Sequence, residues 1–235
     1  SAKYQDLSQT HPDEAERKKY QYLLELLTPV AKTYPSEKGL EAVSNGLQVL
    51  GGYGFCSDFI LQQYYRDIRI FSIYEGTTGI QSMDLLGRKI TMDNGVALTH
   101  LAGEMGKTIK EAMAMADLKS YAEALSGKTG LMKKVLGYLM GYAGKGNFER
   151  FLADATVFMD FFGNILIGWL WLDMAVEANK ALSEGRSLQT EGFYNSKIHA
   201  MQFYFTYELP KTESQAQVLL NTLDLTVSVE DEVFE

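Results

Sequence analysis

Apolar residues recur along most of this chain at intervals of three and four. That spacing puts them on one side of a helix, where they can pack against neighbours. Leu23, Leu24, Leu27, Val30 and Ala31 form a first set, and Leu40, Val43, Leu47 and Leu50 a second. A helix is expected to start at Asp13, with Glu14 and Glu16 in its first turn, where carboxylates favour the positive end of the helix dipole. Residues 1–12 read as a polar lead-in. Pro29 is expected to kink or shorten the helix, and Tyr34-Pro35-Ser36 to break the chain before the second set. Gly51-Gly52 should stop the second helix. Ser57 or Asp58 should cap the next, through about Arg69, with Phe59, Ile60, Tyr64 and Ile68 on its buried side. Asp67 can pair with Arg66 or Arg69, which would contribute little if exposed.

After Ile73 comes a turn, Tyr74-Glu75-Gly76. Thr77 or Thr78 can cap the helix that follows, with Ile80, Met83, Leu86 and Ile90. Asp93-Asn94-Gly95 is the clearest loop signal and sets an expected boundary between residues 1–95 and 96–235. Beyond it, Leu98, Leu101, Met105, Ile109, Ala112 and Ala116 make one stripe, and Leu131, Val135, Leu139 and Tyr142 another. Gly144-Lys145-Gly146-Asn147 breaks the chain. Residues 148–176 read as one very apolar helix, and 193–207 and 212–223 as a last pair separated by Pro210. The tail, 229–235, reads as acidic and loose. No strand-like alternation stands out, so the expected fold class is all-α: an incomplete helical bundle followed by an accessory bundle.

Composition narrows the functions. The chain has 235 residues, 46% hydrophobic and 22% charged, which is ordinary globular usage. A formal net charge of −8 argues against a general electrostatic grip on nucleic acid. A single cysteine, Cys56, permits no intrachain disulfide, and a reduced, cytoplasmic setting is the default. Residues 1–4 lack the apolar core of a secretory signal. The run 155–176 approaches the length of a membrane span. Asp160, Asn164 and Asp173 interrupt it, and charges at mid-bilayer are costly, so the core of a soluble bundle is the expected role.

Several chemistries drop out. His11, His100 and His199 are far apart and show no metal-ligand spacing. Gly51-Gly52-Tyr53-Gly54 is neither a dinucleotide fingerprint nor a phosphate loop. No nucleophile elbow is present. Glu75 remains. Beside Gly76 and before a helix start, it is either a charge that stabilises the helix dipole or a base held near a ligand. Residue type does not choose between them.

Three linked motifs carry a resemblance. They are Gln48-Val49-Leu50-Gly51-Gly52-Tyr53-Gly54-Phe55, Tyr65-Arg66-Asp67-Ile68-Arg69-Ile70, and Ile73-Tyr74-Glu75-Gly76-Thr77-Thr78-Gly79-Ile80-Gln81. In order and spacing, residues 36–90 resemble the closing half of the C-terminal helical domain of acyl-CoA dehydrogenases. Residues 10–35 resemble the preceding helix of a subgroup that includes the 3-methylmercaptopropionyl-CoA dehydrogenase type, which adds a further C-terminal helical domain. Tyr121-Ala122-Glu123-Ala124-Leu125, Phe151-Leu152-Ala153-Asp154-Ala155 and Gly168-Trp169-Leu170-Trp171-Leu172 are similar to that extension.

The resemblance implies roles. Glu75 matches the catalytic base, which removes the α-proton of an acyl-CoA while the β-hydrogen leaves as hydride to FAD. Gly76 matches a residue beside the thioester. Gln48, Val49, Leu50, Gly51 and Gly52 match a strip that approaches the FAD, usually a neighbouring subunit's. Thr77, Thr78 and Gly79 match FAD contacts just after the base. The implied partners are an acyl-CoA substrate, an electron-transfer flavoprotein and copies of the same chain. The family's N-terminal and middle domains have no counterpart here, so the chain is expected to be a fragment that is inactive alone. Two other readings stay open: a non-catalytic helical interaction module, and a membrane-surface anchor in the accessory part.

Overall fold

The computed structural model describes residues 1–185, 188–221, 223–229 and 231–234. Among these, regular structure is helical throughout, with no strand. The chain forms two compact units, Ser1–Leu98 and Thr99–Glu235.

Unit 1 is built on one long helix. Helix α1 (Ala2–Thr10) precedes it, so the first residues are not a plain lead-in. Tyr4 of α1 stacks on Tyr20 with ring centroids 5.7 Å apart. Helix α2 runs from Glu14 to Leu50, and Asp13 caps it by accepting from the Ala15 N–H at 2.8 Å. The expected break at Tyr34-Pro35-Ser36 does not occur. Both prolines lie inside α2. Each removes one backbone bond. Pro29, Val30, Thr33 and Ser36 are buried, and that packing outweighs the local cost. Pro35 orphans the carbonyl of Ala31, an exposed residue that water can reach.

A 3-10 turn, Gly51–Phe55, ends α2; α3 (Leu61–Arg69) and a 3-10 turn, Ile70–Ser72, follow. Ser57 and Asp58 do not cap α3, whose N-cap is Ile60 without a side-chain bond. Two glycines let α3 lie close on α2. A Cβ at Gly39 would sit 2.7 Å from Ile68 Cδ1, and one at Gly46 would sit 3.2 Å from Leu61 Cδ1. The expected buried side of α3 is largely exposed: Phe59, Ile60 and Tyr64 face solvent, and Ile68 is half-covered. Asp67 accepts from Gln63 Nε2 at 2.7 Å instead of pairing with an arginine.

Helix α4 (Thr78–Asp84) and a π turn (Leu85–Lys89) close unit 1 over α2. Leu85, Leu86 and Ile90 join Leu23, Leu26 and Val30 in its core, while Ile80 and Met83 stay exposed. Lys89 is buried, with Nζ 3.1 Å from Glu25 Oε2. The amide of Gln21, and then Lys89, hold the Glu25 carboxyl below its ordinary value of 4.5. A depressed carboxyl contributes stability that is present above pH 4.5 and is lost as pH falls through its lower folded value. Thermal melts between pH 5.5 and 3 should therefore fall less steeply for Glu25→Gln than for the parent. Parallel slopes would remove Glu25 from the acid sensitivity.

The loop Met92–Gly95 holds three successive left-handed residues, Asp93, Asn94 and Gly95, at φ 45°, 58° and 81°. The Tyr22 hydroxyl donates to Asp93 and anchors it. Helix α5 (Val96–Met113) begins directly afterwards.

Unit 2 surrounds one apolar helix. After α5 come α6 (Lys119–Ala143), α7 (Phe148–Leu152), α8 (Ala155–Ser183), α9 (Glu191–Phe203) with its π turn Tyr204–Glu208, and α10 (Lys211–Leu219). The expected single helix over 148–176 is two, divided at Ala153-Asp154, where Asp154 takes a non-helical conformation. Ala116 falls outside α5 and is exposed. Helix α8 buries Phe158, Phe161, Phe162, Ile165, Trp169 and Leu172, and 67% of its most apolar window is covered. It is long and apolar enough to cross a membrane, but here it is the core of the unit. Gly168 allows close contact, since a Cβ there would lie 3.1 Å from Leu209 Cδ1. Polar ties fix the register. Trp169 Nε1 donates to Thr108 at 2.9 Å, Thr108 to Asp173 at 2.8 Å, and Tyr204 to the Asn164 carbonyl at 3.0 Å. The stretch Asp231–Phe234 is a 3-10 turn, whereas Glu230 and Glu235 of the expected loose tail lie outside the described residues.

Candidate active site

The Glu75 turn is built from a backbone that most residues avoid. Glu75 has φ 52° and Gly76 φ 91°. Glycine suits the second position for two reasons. It takes that φ without strain, and a Cβ there would lie 2.6 Å from Gln81 Nε2. A left-handed glutamate, by contrast, costs on the order of 1–2 kcal/mol. Such an outlier persists only where its surroundings over-determine it.

The surroundings do so from two elements, α2 and α4. Gln81 Nε2 donates to the Glu75 carbonyl at 3.1 Å. Lys32 Nζ, from α2, donates to the Gly76 carbonyl at 2.6 Å. The Thr78 hydroxyl donates to the Glu37 carboxylate, also on α2. Thr77 caps α4 by accepting from the Ile80 N–H at 3.4 Å. The Glu75 side chain is exposed and lines a surface depression with Lys32, Pro35, Ile68, Phe71 and Tyr74. A carboxylate thus stands at a mostly apolar concavity, on a turn held from outside itself.

The second glycine turn lies elsewhere on α2. Gln48 follows Glu37 by 11 residues, about 16 Å farther along the helix axis. The strip Gln48, Val49, Leu50, Gly51 and Gly52 is therefore not brought to the Glu75 turn. It is open surface. Val49 is 86% exposed, and a Cβ on either Gly51 or Gly52 would meet nothing within 4 Å. Gly51 has φ 58° and ψ −140°, a conformation suited to glycine. Gly54 folds the turn back so tightly that a Cβ would lie 2.6 Å from the Leu47 carbonyl. Exposed Tyr53 and Phe55 flank the strip, and Cys56 Sγ donates to the Gly52 carbonyl at 3.6 Å.

Gly79 lies in the first turn of α4, where a Cβ would also meet nothing. Backbone N–H groups in a first helical turn lack intrahelical partners. Lys32 and Glu37 carry no mark in the sequence that ties them to this turn, and only the fold reveals them.

The family described as "Acyl-CoA dehydrogenase, C-terminal domain" matches residues 10–90. The one described as "Acetyl-CoA dehydrogenase C-terminal like" matches residues 101–230. The chain belongs to the acyl-CoA dehydrogenase C-terminal domain families. The broad-specificity linear acyl-CoA dehydrogenase FadE5 of Mycobacterium tuberculosis is 34% identical to it over 88% of this chain and 35% of that protein. The 3-methylmercaptopropionyl-CoA dehydrogenase of Ruegeria pomeroyi is 32% identical over 95% of this chain and 38% of its own length. The chain thus spans little more than a third of these acyl-CoA dehydrogenases. Among solved structures, an acyl-CoA dehydrogenase from Bacillus anthracis, complexed with FAD, shares the fold with a TM-score of 0.62 at 20% identity, covering 89% of this chain and 35% of that one.

Proposed function

We propose that this chain is the part of a FAD-dependent acyl-CoA dehydrogenase that supplies the catalytic base. The observation that carries the reading is Glu75 itself, a residue of left-handed backbone at a mostly apolar depression, on a turn held by Gln81 and by two side chains of α2. Its carboxylate takes the α-proton of the acyl thioester. The electron pair left on the α-carbon forms the α,β double bond as the β-hydrogen departs with its own pair. FAD, when bound, accepts that hydride. Apolar walls at Pro35, Ile68, Phe71 and Tyr74 suit the acyl chain of such a thioester.

The residues present fit a flavin nucleotide unequally. Thr77 uses its lone pair to cap α4, so its hydroxyl proton can still be donated to a phosphate. Thr78 already donates to Glu37, which leaves its backbone N–H, with that of Gly79, as the available donor. The Gln48–Gly52 strip, about 16 Å away by helix rise, serves the FAD of a neighbouring copy, so the working protein is a homo-oligomer. Electrons then pass to an electron-transfer flavoprotein in a reduced, cytoplasmic setting.

Anaerobic addition of butanoyl-, octanoyl- or hexadecanoyl-CoA to the full-length flavoprotein should bleach its visible flavin band. A spectrum unchanged by all three would favour a non-catalytic helical module. The chain alone, purified with excess FAD, should leave gel filtration colourless, because the flavin ring is held largely by the rest of the protein. A stoichiometric flavin band on this chain would overturn that division of the site.

A further inference from the structure

We propose that Lys32 is a positioning residue for the base; this rests on the assignment of Glu75 above. Gly76 gives the turn its shape but no rigidity, since glycine turns freely between backbone wells. The Glu75–Gly76 peptide adjoins the Cα that carries the carboxylate, and the Gly76–Thr77 peptide sets where that unit sits relative to α2. Each of their carbonyls is held by a long side chain: that of Glu75 by Gln81 Nε2 at 3.1 Å, and that of Gly76 by Lys32 Nζ at 2.6 Å. Gln81 belongs to the same local segment and moves with the turn. Lys32 comes from α2, 44 residues earlier in sequence, and ties the turn to the body of unit 1. It is half-buried and lines the same depression as Glu75, so its ammonium is held in place by the walls that define the site. A charged donor makes the stronger kind of hydrogen bond to a carbonyl. Without it, the turn keeps Gln81 and the Thr78–Glu37 contact but loses the bond from α2 to the Gly76 carbonyl.

The consequence falls on orientation. A misplacement of about 1 Å at a reacting group costs roughly 100-fold in rate. Lys32→Met keeps the stem and removes the donor; Lys32→Arg keeps a donor of similar reach. In the full-length flavoprotein, anaerobic stopped-flow reduction by saturating octanoyl-CoA should slow ~10–100-fold in Lys32→Met, with flavin content and acyl-CoA affinity unchanged. Lys32→Arg should recover most of the rate. The decisive readout is a double-mutant cycle. If Lys32 acts through Glu75, adding Lys32→Met to Glu75→Gln leaves the residual rate as it was. A merely structural tie would slow both backgrounds alike, and that result overturns the proposal, as does a near-wild-type rate in Lys32→Met. Should Lys32→Met fail to hold flavin, Lys32→Gln, too short to reach Gly76, carries the same cycle. Glu75→Gln at full rate would sink the base assignment itself; a slow Glu75→Gln beside a fast Lys32→Met would sink only the role of Lys32.

Discussion

Glu75→Gln in the full-length flavoprotein should slow flavin reduction by acyl-CoA at least ~100-fold, the lower end for loss of a general base. The exchange keeps size and polarity but removes the ability to accept the proton. It also keeps the left-handed backbone, because the constraints on φ come from Gln81, Lys32 and Glu37 and not from the carboxylate. FAD and acyl-CoA should therefore still bind. The competing account treats Glu75 as a charge near the start of α4. In that case the change would cost only about 0.3–1 kcal/mol of stability and leave turnover intact. The exposed side chain makes even that a generous figure. Stopped-flow reduction beside a thermal melt separates the two. Near-normal reduction with a lowered melting point would remove Glu75 from the mechanism.

The same turn shows where reading the sequence stops. Gly76 and Thr77 announced a turn and a cap, and both are there. What the pattern of residues did not contain was a reason for Glu75 to be more than a dipole charge. That came from the resemblance across residues 36–90. Roles for Gln48 through Gly52 and for Thr77 through Gly79 are what that resemblance implies, and Thr78 is committed to Glu37 in a way that residue type gives no sign of. Lys32 and Glu37 meet the turn across 44 and 41 residues, and a lysine or glutamate on an amphipathic helix reads as solvated surface.

Helix type was easier to read than helix limits or burial. Pro35 looked like a break because the local cost of proline is visible in sequence and the packing that offsets it is not. The α3 segment erred in the opposite sense. Phe59, Ile60 and Tyr64 have helical spacing and apolar chemistry, which reads as a buried face. Among the described residues they are only partly covered, at 38%, 57% and 50% exposure, and spacing cannot say whether a partner is at hand. The break at Ala153-Asp154 was missed for a third reason. At that break Arg150 and Asp154 form a charge cluster with Asn221 and Asp224, partners that local spacing does not reveal.

That cluster sets the last prediction. Arg150 is 2% exposed, at the start of unit 2's apolar core. Its Nη1 donates to Asp154 at 2.8 Å and its Nη2 to the Asn221 carbonyl at 2.8 Å. Nε lies 2.8 Å from Asp224, near enough for attraction but not aligned as a hydrogen bond. The guanidinium also rests 5.4 Å from the Tyr142 ring centroid. The partners are unequal. The Asp154 side chain is 18% exposed and that of Asp224 is 46% exposed, whereas the cation has almost no access to water. Removing the cation lets both carboxylates hydrate, so Arg150→Met should cost about 1–3 kcal/mol, as for unmaking hydrogen bonds. Removing Asp154 strands the guanidinium beside one misaligned and half-solvated carboxylate. Asp154→Ala should then cost roughly 3–5 kcal/mol, the range for breaking a buried ion pair by removing one partner. Loss of a side-chain cap cannot explain that difference, since Asp154 makes no capping bond to α8. Both tryptophans, Trp169 and Trp171, lie in α8 and report on unit 2 alone. Urea unfolding followed by their fluorescence should put Asp154→Ala below Arg150→Met in midpoint. The opposite order would mean that the side chain's packing, not its charge, holds this corner of the bundle together.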